Sequence, residues 1–354
     1  MRSTQLLQLL AVALLALPTV AQAKLKVVAT LTDYAWAAQA VGGDNVTATA
    51  ICPPDQDAHF LAPRPSYALD VASADVFIDT GLDLELWAPV LLQKAANPKV
   101  MPGGAGYVSA SEGVALLEVP ASADRSQGDV HVFGNPHFTT SPLAMRVVLR
   151  NIARGLGRVD PANAATYTAG AAKAVLDLDE RMFGKSLVAT LGGDTLARLA
   201  EKGKLDGFLA SKQFQGQPLS TQLGGWLGKL KPYAGSPIVT YHNNWPYFVQ
   251  VFGLRQVATI EPKPGVPPTP AHVAEILEIA VREHLKVVLD ASYFPKERVE
   301  EVAQRANAHA LMLPYHPGSA GTKTYPDMLN IWVDRLSAVF ASGGSPGSPP
   351  GGAK

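Results

Sequence analysis

Short apolar, β-branched runs alternate with longer amphipathic stretches along most of the chain. Leu25–Leu31 (LKVVATL) reads as a strand. DYAWAAQAVGG follows as a helix with Asp33 as its cap and glycines as its stop, and Asn45–Ile51 (NVTATAI) is a second strand. A helical stretch starts near Pro65, and Ala74–Gly81 (ADVFIDTG) is the next apolar run. The rhythm returns after residue 235. Strands are predicted at SPIVTYH, QVATIE, KVVLDAS and AHALMLPYH, and helices at NNWPYFVQVFGL, TPAHVAEILEIAVREHL, PKERVEEVAQRAN and YPDMLNIWVDRLSAVFAS. Strands separated by helices imply βαβ units, hence mostly parallel sheets with helices on both faces.

Between these two regions the period changes. Asp160–Leu191 reads as one helical stretch of a length that suits a spine between two lobes, whereas residues 192–232 carry scattered glycines and no sustained period. The pattern therefore predicts an α/β protein of two lobes with central, mostly parallel sheets joined by one long linking helix. Its divisions are an N-terminal lobe over 24–158, the linking helix over 159–191 and a C-terminal lobe over 192–342, with an insertion at about 192–232. The Gly/Ser/Pro-rich 343–354 reads as a disordered tail.

The first 23 residues stand outside this pattern. Arg2, the apolar run Leu6–Leu17 and Ala21-Gln22-Ala23 read as a secretory signal peptide cleaved after Ala23, which places the mature chain in the periplasm. Removing Arg2 leaves 29 basic against 30 acidic residues, so no electrostatic footprint for nucleic acid remains, and no basic patch marks a membrane surface. The single cysteine, Cys52, ends an apolar run and reads as a packed thiol.

Chemistry enters where strands end. In open α/β sheets, loops at the carboxyl ends of strands converge on the cleft. His59 follows the NVTATAIC strand, His137 follows a strand-like DVHVFG, His242 ends SPIVTYH and Asp290 ends KVVLD. Two come from each lobe. Three imidazoles and a carboxylate suit Zn2+ better than Mn2+, which prefers oxygen, and four protein ligands leave no open position for a reactive water. Of the eight histidines, His131 shares a loop with His137 and His316 ends a predicted strand, so both compete for a place in the cleft; His272 and His284 sit on a helix as solvated positions, and His309 begins a strand.

The same segments resemble a known family, the cluster A-I solute-binding proteins of ABC transporters, periplasmic receptors for zinc and manganese. DAHFLAPRPS (Asp57–Ser66) is similar to that family's Asp-Pro-His motif, ADVFIDTGLDLELW (Ala74–Trp87) to its strand-Asn-Gly-Leu-x-Leu-Glu-x-Trp segment, and NPHFTTSP (Asn135–Pro142) to its Asp-Pro-His-x-Trp-x-x-Pro motif. VTYHNNWPYFVQVFGL (Val239–Leu254) resembles the segment of the third ligand, His in zinc receptors and often Glu in manganese receptors. The resemblance implies capture of a cation between two lobes and its delivery to the membrane permease of an ABC importer, by a monomer that is not an enzyme.

Three departures stand out. The long His- and Asp-rich loop of many zinc receptors is replaced by a short VPASADRSQGDVHVFG. The Gly-Asp-Ser-Tyr segment that carries the family's fourth ligand is GTKTY here, with Thr322 and Lys323, so Asp290 is taken as the substitute, with His316 or water as alternatives. The insertion has no counterpart in the family pattern. Against the rival reading, a secreted zinc hydrolase with an open fourth position, no His-Glu-x-x-His is present, and no acid beside the three histidines serves as a general base.

Overall fold

The computed structural model describes residues 23–120 and 131–342. The signal-peptide segment up to residue 22, the tail at 343–354 and the first two residues of the strand-like run at 129–134 lie outside them.

The first lobe runs β1 (Leu25–Ala29), α1 (Thr32–Gly42), β2 (Val46–Ala50), α2 (Pro65–Ala72), β3 (Val76–Asp79), α3 (Ala88–Ala95) and β4 (Tyr107–Ser109). Its strands are all parallel, in the order β2-β1-β3-β4, with Val27 opposite Ala48 on one side and Val76 on the other. The edge strand β2 alternates, with Val46 buried and Thr47 exposed. Every residue of β3 is buried, which is why it reads as a continuous apolar run.

Helix α4 (Pro142–Val159) starts with Ser141, whose Oγ accepts a hydrogen bond from Ala144 N (3.2 Å), and with Pro142 at the first turn. It pairs with α5 (Ala164–Phe183), which packs on α1 in the first lobe and on a helix of the second. The predicted spine is shorter than the period suggested. Gly184, at φ 90°, ends α5, and a Cβ there would lie 3.0 Å from the Cα of Gly224. The chain then turns through α6 (Lys185–Leu191), α7 (Gly193–Glu201), α8 (Leu205–Ser211), the two-residue strands β5 (Gln213–Phe214) and β6 (Gln217–Pro218), and α9 (Gly225–Leu230), the helix that meets α5. Buried Arg146 of α4 anchors this insertion, its Nε 2.8 Å from Asp179 Oδ1 of α5 and its guanidinium 2.5 Å from Asp194 Oδ1 of α7.

The second lobe is β7 (Pro237–Thr240), α10 (Pro246–Phe252), β8 (Arg255–Thr259), α11 (Pro270–Arg282), β9 (Val287–Ala291), α12 (Lys296–Arg305), β10 (His309–Leu313) and α13 (Tyr325–Ala341). Its strands are parallel in the order β10-β9-β7-β8. Cys52 is buried in the first lobe as the packed thiol expected, and burial pushes its pKa up to about 12.

One apolar core runs through both lobes, from Val27 to Phe340. Its centre is aromatic: Trp245 and Trp332 lie 4.7 Å apart edge to face, and Trp36 stacks on Tyr325 at 5.4 Å. Tyr325 donates to Thr139 O (2.8 Å), so α13 of the second lobe is tied to the loop that opens α4.

Candidate metal site

Each site histidine is placed by a short, well-bonded piece of backbone. His59 lies in a single 3-10 turn, Ala58–Phe60, capped by Asp57, whose Oδ1 accepts from both His59 N (3.0 Å) and His59 Nδ1 (2.6 Å). Trp87 Nε1 donates to Ala58 O (2.7 Å), which gives the tryptophan that ends the LDLELW segment its place. His137 N donates to Asn135 Oδ1 (3.0 Å), and Thr140 Oγ1 donates to His137 O (2.9 Å). His242 follows β7; Thr240 Oγ1 donates to its carbonyl (2.9 Å), and its Nδ1 is 2.7 Å from Oε2 of Glu261, the acid beyond the end of the neighbouring β8.

These three imidazoles meet a fourth, that of His131. One ligand atom of each of His59, His131, His137 and His242 lies within 4.8 Å of the others. The Nε2 atoms of His59 and His131 are 3.3 Å apart, as are those of His242 and His137. Ligands ~2.0–2.1 Å from a tetrahedral zinc stand about 3.3–3.4 Å from one another, the edge of the tetrahedron, so both contacts have the spacing of a coordination shell. Burial, together with the positive charges of neighbouring histidines, lowers the pKa of His131 to about 3 and holds that of His137 well below the usual imidazole range, so both stay neutral with free lone pairs at physiological pH. Burial raises the Asp57 carboxyl, but the hydrogen bond and charge of His59 outweigh it and hold Asp57 below its ordinary value.

Asp290 does not join this group. It is the fourth residue of β9 rather than a residue beyond its end, and the pleat decides where it points. Val287, Leu289 and Ala291 face the main core, whereas Val288, two residues before Asp290, faces the second apolar cluster with Val239 and Ile276. Asp290 shares that side of the strand. It is fully buried, its Oδ1 accepts from Ala291 N (2.6 Å), and its Oδ2 has no partner among the described residues. Burial raises its pKa well above the usual carboxylate value and so favours the protonated form. His131 takes the place the sequence reading gave to Asp290. The signal for it was present, since it stands six residues from His137, but a loop position with no strand after it gave no direction for its ring.

His316, the other competitor, is buried beside the cluster with its Nδ1 2.5 Å from Oδ2 of Asp33, a link from the second lobe to the start of α1. Thr322, where the resembled family carries its acid, spends its hydroxyl on Ser319 O (2.6 Å). His131 and His242 of the cluster line a cleft of about 590 Å³ together with Asn243 and Glu261. On its inner side only about 10 Å³ is left between His59, His137, Tyr293 and His316.

Comparison with known proteins agrees with this architecture. The family model for the periplasmic zinc-uptake complex component A matches residues 27–182 and 223–339 and passes over most of the insertion. The chain is 23% identical to the iron-binding protein YfeA of Yersinia pestis over 321 residues, 90% of this chain and 86% of that one. It is 29% identical to the iron ABC transporter substrate-binding lipoprotein MtsA of Streptococcus pyogenes serotype M1 over 148 residues, and there spans 41% of this chain and 44% of the relative. Among solved structures it is similar to ZnuA (TM-score 0.65, 18% identity, 89% of this chain and 98% of that one). It is also similar to FpvC of Pseudomonas aeruginosa in complex with Mn2+ (TM-score 0.64, 21% identity, 91% and 100%). Both likenesses are of fold. With the family model matching both lobes and the helix between them, the chain belongs to the periplasmic zinc-uptake complex component A family, the metal-binding substrate receptors of ABC transporters, which are not enzymes.

Proposed function

We propose that the protein binds one Zn2+ between its lobes through His59, His131, His137 and His242 and delivers it, as a monomer, to the membrane permease of an ABC importer. The observation that supports this best is the pair of 3.3 Å Nε2–Nε2 spacings, the tetrahedral edge for zinc, in a set made wholly of imidazole. Mn2+ favours carboxylate, carbonyl and water ligands in an octahedral shell, and the group of four contains no carboxylate. Four protein ligands fill a tetrahedral shell, which holds cargo rather than activating water. The receptor works in the periplasm after removal of residues 1–23, and no described helix is long and apolar enough to cross a membrane.

The relatives' names set iron and manganese as the rival ions. The test is titration of the metal-free mature protein with Zn2+, Mn2+ and Fe2+ under anaerobic conditions, read by competition with a chromophoric chelator and by melting. Zinc should bind with a stoichiometry of one, and at a thousandfold excess over Kd should stabilise the fold by ~4 kcal/mol. Tighter binding of Mn2+ or Fe2+ than of Zn2+ would overturn the assignment.

A further inference from the structure

Glu118, on the wall of the cleft, touches the segments that carry two of the histidines without touching a histidine itself. Its Oε2 accepts from Asn135 Nδ2 (2.9 Å), in the loop before α4, and from Asn243 Nδ2 (2.7 Å), beyond the end of β7 in the second lobe. Each asparagine is built into the mounting of a site histidine. Asn135 Oδ1 accepts from His137 N (3.0 Å), and Asn243 is the residue after His242. The two segments also meet directly, with Asn135 Nδ2 donating its second hydrogen to Asn243 O (2.9 Å). Asn243 Oδ1 accepts from Gln256 Nε2 of β8 (2.7 Å). These partners fix both amide orientations, because a flipped amide would turn its oxygen toward the carboxylate.

We propose that Glu118 is a positioning residue that clasps the His137 and His242 segments across the cleft and thereby sets how long the ion is retained. The backbone supports this. Glu118 stands at φ 53°, in the left-handed region, where a turn alone would favour glycine. The residue before it is held by both segments: Leu117 N donates to Tyr247 Oη of α10 (3.0 Å), and Leu117 O accepts from Asn135 N (2.8 Å). The turn therefore serves to deliver a carboxylate between the two asparagines. One carboxylate oxygen accepts both amides at once, and such charge-assisted bonds are about twice as strong as neutral ones, which suits the exposed position of Glu118. The consequence lies in dissociation. The 3.3 Å spacing of His137 and His242 Nε2 crosses between the lobes, and an ion leaves only as its imidazoles draw apart. A clasp on these two segments opposes that separation and leaves arrival untouched. A negative charge on the cleft wall that merely attracted cations would act on arrival instead.

This inference rests on the proposed zinc site, and its test separates the two. Glu118→Gln keeps an acceptor oxygen without the charge, Glu118→Ala removes the acceptor, and Glu118→Gly removes it while relaxing the turn. Zn2+ association and dissociation are followed by stopped flow against a chromophoric chelator, and melting of each metal-free variant checks that it folds. Dissociation should quicken about tenfold in Glu118→Ala and Glu118→Gly, the low end for an outer partner of a ligand. Association should stay within about twofold of wild type in both. Glu118→Gln should retain the ion to within about threefold of wild type, since its amide oxygen still accepts. Equal quickening in Glu118→Gln and Glu118→Ala, or slower association in place of faster dissociation, would overturn the clasp in favour of an attracting charge. Unchanged rates in Glu118→Ala would overturn it outright. In the metal-free wild type, the side-chain amide protons of Asn135 and Asn243 should resonate downfield of free amides and move back toward them in Glu118→Ala. Free-amide shifts in the wild type would refute the clasp whatever the cargo, whereas downfield shifts in a protein that failed to bind Zn2+ would refute the zinc reading alone.

Discussion

Replacing His131 by alanine tests the feature that most separates the structure from its sequence. The ring is half-buried, with its Nε2 3.3 Å from that of His59, and it lines the cleft. Without it, three imidazoles remain and water from the cleft takes the fourth position. Loss of an outer partner of a metal ligand costs ten- to a hundredfold in affinity, and loss of a ligand should cost no less, or ~1.4–2.8 kcal/mol of binding free energy. The metal-free fold should barely notice. Among the described residues His131 donates and accepts nothing that holds backbone together apart from its own carbonyl, which takes Gly134 N (3.1 Å) and survives the substitution, so stability without metal should move by less than ~1 kcal/mol. The assay is zinc competition against a chelator of known affinity, with urea unfolding in excess chelator as the control. His131→Ala binding zinc as wild type does, while Asp290→Ala loses tenfold or more, would refute the assignment and restore the carboxylate.

Three further outcomes follow from buried charge. The folded chain keeps the Asp290 proton, which the unfolded chain releases above pH ~3.9; the associated stability is complete below that pH and is lost as pH rises toward the raised folded value. Asp290→Asn, which does not titrate, should therefore gain on metal-free wild type between pH 5 and 8 in urea unfolding, with zinc affinity within about threefold. His131 has the opposite sign. Its folded pKa of about 3 lies below the unfolded ~6.5, so its contribution is present above pH 6.5 and lost as pH falls through that window. In melting experiments without metal, His131→Ala should gain on wild type from pH 7 to 4, and a constant difference would refute the shift. Asp179→Ala leaves buried Arg146 with only Asp194 and should cost about 3 kcal/mol in chemical unfolding without altering zinc affinity.

Three of the four clustered histidines of the candidate site were legible because strand ends and turn chemistry are local. His59 sits in a turn that Asp57 caps two residues earlier, and His242 follows an apolar strand by two residues, so each position was fixed within one short segment. Asp290 failed for an equally local reason. A run of five buried residues has no polar alternation to reveal which face each side chain takes, and the last polar residue was mistaken for the strand's end. The linking helix is present but ends at Gly184: the periodicity on either side of it is helical, but the turn is set by contact with Gly224, forty residues on in a helix-and-loop insertion. His131 could not be placed by any local rule, because its ring meets His59 from across the first lobe.

The links between the lobes show why a site assembled from both of them can be this closely spaced. Two 3.3 Å contacts between ring nitrogens, one of them crossing from His137 to His242, can each be held before an ion arrives by an N–H of one ring on the lone pair of the other, and the links between the lobes add to them. The continuous aromatic core, the Tyr325–Thr139 hydrogen bond, the His316–Asp33 pair and Tyr247 Oη on Asn135 O (2.6 Å) all span the lobes within the surroundings of the cluster. Their combined effect is to transfer the cost of bringing four imidazoles together from the moment of binding to the moment of folding. The same ties oppose wide opening of the lobes. Of the four histidines of the proposed site, His131 and His242 line the cleft and His131 is the less buried of the two, so an ion held there would leave past His131 without breaking the core.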